Sequence, residues 1–311
     1  MTPTERHDHQ NAELYRAALR DDLDALLRWM PYADPQWTCS IKQMTALSAA
    51  AFKGSKHVLP ELLKVFSPTH TDKYGQTPFL IAAEKGHFSV LKLLAPFSDV
   101  GQVDCYGRGA VDLISNIPGD AGKMALEWLF SLGLQGQALF VNDSGATPLM
   151  TACVRGGCVR GRCASPPDNL ANITLRTLLP HSDVNAQDND GHTALMTAII
   201  MEFSSGVAFL APLSNLSLRD KDGLDALELA VSLGRWSCVD ILAPFFQDTA
   251  RVRIILNDAP HGALPKALAW VEARELSRLV SGALRESVLS NCPDSTANAA
   301  QALARRAPRS L

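Results

Sequence analysis

Thr77-Pro78-Phe79-Leu80-Ile81-Ala82-Ala83-Glu84-Lys85-Gly86-His87 is the stretch that decides the fold, because each residue type in it has a local meaning. The Thr hydroxyl caps free amides at a helix start. Pro in the first helical position has the helical φ and lacks only an N–H that would find no partner there. The short helix carries Ala82-Ala83, so a neighbouring helix can approach closely, and Gly86 closes it by accepting positive φ. Gly75-Gln76 stands just ahead of Thr77, and the phrase Gly-x-Thr-Pro-apolar returns along the sequence. Its copies are Gln43-Met44-Thr45-Ala46-Leu47, Gly107-Arg108-Gly109-Ala110-Val111, Gly145-Ala146-Thr147-Pro148-Leu149, Gly191-His192-Thr193-Ala194-Leu195 and Gly223-Leu224-Asp225-Ala226-Leu227. Counting the copy at Gly75, the steps are 32, 32, 38, 46 and 32 residues. A period of this size marks a stacked array of short units.

The rest of each unit reads the same way. After a closing Gly at Gly54, Gly86, Gly156 or Gly234, a second helix carries a bulkier apolar stripe. The stripe is Val58, Leu59, Leu62 and Leu63 in one copy, Val90, Leu91, Leu93 and Leu94 in the next, and Val239, Ile241 and Leu242 in the last. Pro96, Pro180, Pro212 and Pro244 stop it. A polar, turn-forming run such as Ser182-Asp183-Val184-Asn185-Ala186-Gln187-Asp188-Asn189-Asp190-Gly191 then leads into the next copy.

The helix-start phrase at Thr77 to His87 and the hairpin phrase at Asp183 to Leu195 resemble the ankyrin repeat over residues 12–246. The resemblance implies an all-α repeat solenoid of about six helix-turn-helix units joined by β-hairpin-like loops, with helical caps. Three departures stand out. The period is one short of the family's ~33. A Pro-x-Ser turn, at Pro96-Phe97-Ser98, Pro180-His181-Ser182 and Pro212-Leu213-Ser214, stands where the family usually has Gly. The family's His in its Thr-Pro-Leu-His phrase is replaced by Ser48, Leu80, Asp112, Met150, Met196 and Glu228, which removes the side group that bridges adjacent loops in the family. The third copy, from Gly107 to Phe130, matches least well.

This organisation places an N-terminal cap in residues 1–38, where Ala12 to Met30 reads as a helix pair turning at Asp21-Asp22. Repeats fill residues 39–246, a helical C-terminal cap residues 247–290, and an Ala/Ser/Pro/Arg tail, expected to be disordered, residues 291–311. Two steps exceed the period. The smaller excess falls in residues 118–123 and the larger in 156–169, both between the two helices of their units, where exposed loops are expected.

Bulk composition narrows the function classes. At 47% hydrophobic residues the core is ample, and a net charge of −3 with pI near 6.2 argues against a nucleic-acid or anionic-membrane surface. No apolar run is long enough for a membrane span, and Met1 to Gln10 lacks the apolar stretch of a signal peptide, so the expected address is the cytoplasm. Seven Cys, an odd number at scattered positions, fit a reducing compartment.

Cys153, Cys158 and Cys163 at regular spacing, with His181 beyond them, are the one set that could offer tetrahedral zinc three thiolates and an imidazole. The spacing departs from that of zinc knuckles, and Cys153 falls at a small-residue helix position, so no metal or other cofactor is expected. No phosphate loop, His-Glu-x-x-His or Gly-x-Ser-x-Gly occurs, and Asp188, Asp190, Asp220 and Asp222 fall at turn positions; the protein is expected not to be an enzyme.

Recognition of another protein remains, by a molecule expected to be monomeric. The tip residues Lys73, Tyr74, Tyr106, Arg108, Asn189, Asp190, Lys221 and Asp222 are the candidate contacts, with Met150, Met196 and Glu228 on the inner helices. Arg155, Arg160 and Arg162 in the larger insertion, against the single acid Asp168, form a second candidate patch. An adaptor, inhibitor or targeting scaffold is the leading reading. The alternatives are a host-directed effector, since the repeat variant resembles bacterial ankyrin proteins, and a metal- or redox-responsive binder using the Cys-bearing insertion.

Overall fold

The computed structural model describes residues 2–156 and 168–246. Two helices, α1 (Pro3–Arg20) and α2 (Leu23–Trp29), precede six helix pairs. These are α3 (Ala46–Lys53) with α4 (Leu59–Leu62), α5 (Pro78–Lys85) with α6 (Phe88–Leu94), and α7 (Ala110–Ser115) with α8 (Gly119–Ser131). They continue as α9 (Pro148–Gly156) with α10 (Asp168–Leu178), α11 (Ala194–Ile200) with α12 (Ser204–Leu210), and α13 (Ala226–Ser232) with α14 (Trp236–Leu242). The first helices pack in succession, α1 on α3 and onward to α13, and α8, α10, α12 and α14 stack in a second layer. One apolar core runs between them from Leu14 to Leu242.

Every first helix begins where the repeated phrase places it. The hydroxyls of Thr45, Thr77, Thr147 and Thr193 accept the amides of Ser48, Leu80, Met150 and Met196, and the Asp225 carboxylate accepts those of Leu227 and Glu228. These caps are buried, so water is no substitute and the side group must satisfy the amide. Gly109, in the weakly matching third copy, has no side group with which to cap. Small residues explain the close first layer: Ala49, Ala50 and Ala51 are fully buried against the helices on either side.

The second helices depart from expectation in three respects. Leu93 is exposed while Val90, Leu91 and Leu94 are buried, because at ~3.6 residues per turn position 93 falls on nearly the opposite side of the helix from Leu91. Pro96 does not end the helix abruptly; α6 tightens into a 3-10 turn, Ala95–Phe97, and Ser98 Oγ donates to the Leu94 carbonyl at 2.9 Å. Ser182 does the same for Leu178 and Ser214 for Leu210, so the Pro-x-Ser turn closes the helix with a hydroxyl. The excess at residues 118–123 is no loop: it is absorbed by α8, which has thirteen residues against seven in α6. Gly122 allows this, since a Cβ there would lie 2.1 Å from the Ile117 carbonyl oxygen.

At the N-terminal end, α1 starts at Pro3, well before the expected Ala12, because Thr2 and Glu5 form a capping box. Leu14, Ala17, Ala18 and Leu26 are buried, and Asp21 Oδ1 accepts the amides of His57 and Val58, tying the helix pair to the first unit. The expected C-terminal cap and tail lie outside the described residues.

The loop tips are joined by backbone hydrogen bonds. Lys73 N–H donates to the Lys42 carbonyl, Cys105 to Tyr74, Asp143 to Tyr106, Asn189 to Ser144 and Lys221 to Asp190, each at 2.9 to 3.1 Å. Loss of the family's His therefore does not cost the loops their connection. Gly191 shows what the spacing demands, for its φ is +82° and a Cβ would lie 2.9 Å from Asp220 Cα on the next tip. Gly133 has φ +88° but open space around it. Gly133→Ala is therefore expected to cost about 1 kcal/mol of conformational strain, and Gly191→Ala at least twice that. Denaturant melts of both variants check this, and equal losses would mean that the tip ladder is not under close packing.

Candidate functional site

The tips of the first three units and the C-terminal ends of α3 and α5 enclose a cleft of about 240 Å³. Its lining includes Lys42, Phe52, Tyr74, Glu84, Tyr106 and Arg108. The tyrosines are held by turn chemistry. Asp72 Oδ1 accepts the amides of Tyr74 and Gln76, and Asp104 Oδ1 those of Tyr106 and Arg108, so each carboxylate closes the turn that presents its tyrosine. Tyr74 is 37% and Tyr106 48% exposed.

Arg108, expected as a contact residue, is engaged internally. Its Nε and Nη2 donate to Asp104 Oδ2 at 2.9 and 2.7 Å, and the Asp104 carboxylate is fully buried. The guanidinium also lies 5.0 Å from the centre of the Tyr106 ring. It thus neutralises a buried carboxylate and steadies the tyrosine. Lys73 is exposed, with Nζ 4.9 Å from the Tyr74 ring centre. Lys42, Phe52 and Lys85 complete the cleft, and the repeat pattern alone does not single them out. Phe52 is the available signal: a large aromatic follows Ala49-Ala50-Ala51 in a helix built of small residues.

The other predicted residues are dispersed. Asn189 and Lys221 sit exposed on the tips of the fifth and sixth units, where Asn189 Nδ2 also donates to the Asp143 carbonyl. Asp188 Oδ1 accepts two amides of its own turn, the role its position implies. Met150 and Met196, expected as inner-surface contacts, are 2% and 1% exposed; the third residue after the cap faces the adjacent first helices, not solvent. Glu228 closes a capping box with Asp225 and meets Arg219. Arg155 belongs to α9, while Arg160, Arg162, Cys158 and Cys163 lie outside the described residues. His181 packs edge-on against Phe130 at 4.6 Å between ring centres.

Burial pushes the Cys153 thiol up to about 12, which keeps it protonated. Cys39 differs. Burial also pushes its thiol up, but the amides of Met44, Lys42 and Ile41 and the Tyr15 hydroxyl outweigh that and bring it below the ordinary thiol value. Alkylation of the native protein at neutral pH, read by peptide mass spectrometry, is expected to modify Cys39 well before Cys153; simultaneous labelling would contradict the burial of Cys153.

The third unit holds an electrostatic fault. Asp112 is buried and its Oδ1 lacks a partner, as does Gln137 Oε1 lining the same small void of about 10 Å³. Burial pushes the Asp112 carboxyl above the usual carboxylate range, opposed by the Thr151 and Asn142 side groups and the charge of Arg108. A raised carboxyl pKa costs stability as pH rises through the folded-state value, because the native state must then give up a proton it holds more tightly than the unfolded state does. Asp112→Asn is expected to stabilise by about 1 kcal/mol at pH 8, with the gain shrinking as pH falls through the carboxylate range. Thermal melts across pH measure it, and a pH-independent difference would contradict the assignment.

Among the described residues no helix is long and apolar enough to cross a membrane, and no group of three or more His, Cys, Asp or Glu is placed to hold a metal ion. The family model for ankyrin repeats, in its three-copy form, matches residues 14–104 and 162–253, together more than half of the sequence. No curated protein matches the sequence. Among solved structures, the ankyrin repeat domain of Bcl-3, described as a unique member of the IkappaB protein family, aligns with a TM-score of 0.54. It is 22% identical, over 74% of this protein and 97% of that one. The human ASB11 ankyrin repeat domain aligns with a TM-score of 0.60 at 18% identity, over 76% of this protein and 98% of that domain. At these identities the likeness is one of fold.

Proposed function

Because the chain belongs to the ankyrin-repeat family, whose repeats serve generally as protein-interaction modules, we propose that it binds another protein, without chemistry of its own, through the concave face of its first three units. One observation carries this reading: Tyr74 and Tyr106, half-exposed, stand side by side on tips whose backbones are hydrogen-bonded to each other. An aromatic anchor already fixed in place loses little conformational freedom on docking, so more of its contact energy appears as affinity. Such a module acts as an adaptor, inhibitor or targeting scaffold. The insertion Arg residues, Arg155, Arg160 and Arg162, are a second contact on the same reading, supported by their excess over Asp168 in the sequence.

Affinity purification of the full-length protein from cells expressing it, with mass spectrometry, tests the reading against a Tyr74→Ala, Tyr106→Ala double variant. The expected result is one stoichiometric partner recovered by the parent and reduced at least about tenfold for the variant, whose melting temperature stays within a few degrees of the parent. Equal recovery by both proteins would remove the concave face from the reading, and the insertion would then be the surface to vary.

A further inference from the structure

Three ammonium groups converge on one ring. Lys42 Nζ lies 4.4 Å, Lys85 Nζ 5.2 Å and Lys53 Nζ 5.8 Å from the centre of Phe52, at the wall of the cleft. Cation–π attraction accounts for one ammonium on each face of a ring. A third repels the other two without adding a further face. Of the three, only Lys85 meets a carboxylate, Glu84 at 3.2 Å; Lys42 and Lys53 have none among the described residues. The nearby acids are already engaged, Asp72 by the amides of Tyr74 and Gln76 and Asp104 by Arg108. Glu84 and Asp72 set two negative charges against the three ammonium groups, and Asp104 balances Arg108, so three minus two leaves one positive charge in excess beside Phe52.

The same end of the array differs in chemistry from the other. Equivalent tip positions carry Lys42, Tyr74 and Tyr106 in the first three units, then Ser144, Asp190 and Asp222. An extended partner running along the tips thus meets cation and aromatic first and acid last, a gradient that orients it and favours negative charge over the first units. Size narrows the occupant further. At about 240 Å³ the cleft is smaller than the ~300–1,000 Å³ typical of small-molecule sites. It suits one or two side groups of a peptide. A nucleic-acid backbone would need a basic stripe continuing along the tips, whereas the positions equivalent to Lys42 become Ser144, Asp190 and Asp222.

We propose, resting on the reading that this face binds a protein, that the cleft over Phe52 receives an Asp or Glu carboxylate of the partner. Lys42 and Lys85, which line the cleft, meet the carboxylate, Lys53 adds its charge beside the same ring, and an adjacent apolar residue of the same segment lies against Tyr74 and Tyr106. The lysines are the recognition charges, and Phe52 is the platform that gathers them.

The test uses the full-length protein, immobilised, and a phage-displayed random peptide library as probe, followed by fluorescence anisotropy on the selected peptides. Selected sequences are expected to carry Asp or Glu beside an apolar residue, and replacing that acid by its amide should weaken binding about tenfold. Lys42→Glu with Lys53→Glu should remove the preference for acid over amide. Lys42→Met with Lys53→Met, which deletes charge without reversing it, should reduce the preference by a smaller factor, while Tyr106→Ala should weaken acid and amide peptides alike. Peptides that bind equally as acid and amide, yet are weakened by Tyr106→Ala, would overturn the carboxylate proposal and leave the concave face standing. Peptides indifferent to every variant would overturn both, and so would a selection that yields no binder. Tighter binding of a phosphoserine version, or of a single-stranded oligonucleotide, than of the acidic peptide would assign the lysines to phosphate and overturn the proposal.

Discussion

The backbone hydrogen bond from each loop tip to the carbonyl of the tip before it is the constraint on which this molecule depends. It joins Lys42 to Lys73, Tyr74 to Cys105, Tyr106 to Asp143, Ser144 to Asn189 and Asp190 to Lys221. For it to form, adjacent turns must lie close enough that a Cβ at Gly75 would come within 2.9 Å of the Cys105 amide nitrogen. Turn geometry, glycine placement and unit spacing are therefore one requirement. An Asp or Asn at the start of each complete turn, Asp72, Asp104, Asn142, Asp188 or Asp220, accepts the turn's own amides and sets the tip in the shape the bond needs.

The departures of this protein from its family follow from the same need to satisfy backbone groups. The His lost from the helix-start phrase bridges loops elsewhere in the family; here main-chain groups join them. The Ser of the Pro-x-Ser turn donates its hydroxyl to the carbonyl two residues before the Pro, at Leu94, Leu178 and Leu210, where the helix end has spare acceptors. The third unit is where the scheme is weakest. Its first helix starts at Gly109 with no capping side group, its replacement residue is the buried Asp112, and its second helix is lengthened to thirteen residues.

Rigidity and charge together shape the reading of function. A fixed tip costs little to dock against, and the first three units bring their tyrosines and lysines to one cleft, whereas the later tips carry Ser144, Asp190 and Asp222. Arg108 shows how the molecule separates structural from available charge. It is held by the buried Asp104, while Lys42 and Lys53 keep theirs at the surface.

The sequence by itself determined the unit, its period, the start of every first helix and the positions of the tips. These depend on local chemistry that residues carry with them: a Thr cap, a Pro at the first turn, a Gly at positive φ. Tyr74 and Tyr106 were legible for the same reason, being one period apart on turns. Only the tertiary structure decided what lies across from them. Phe52 and Lys85 reach the cleft from helices in different units, Met150 and Met196 turn inward against neighbouring helices, and the extra residues at 118–123 become helix. Each of these outcomes is set by contacts between units that a period in the sequence places side by side but does not aim. Direction comes from packing, and packing is settled only when the neighbouring helix is in place.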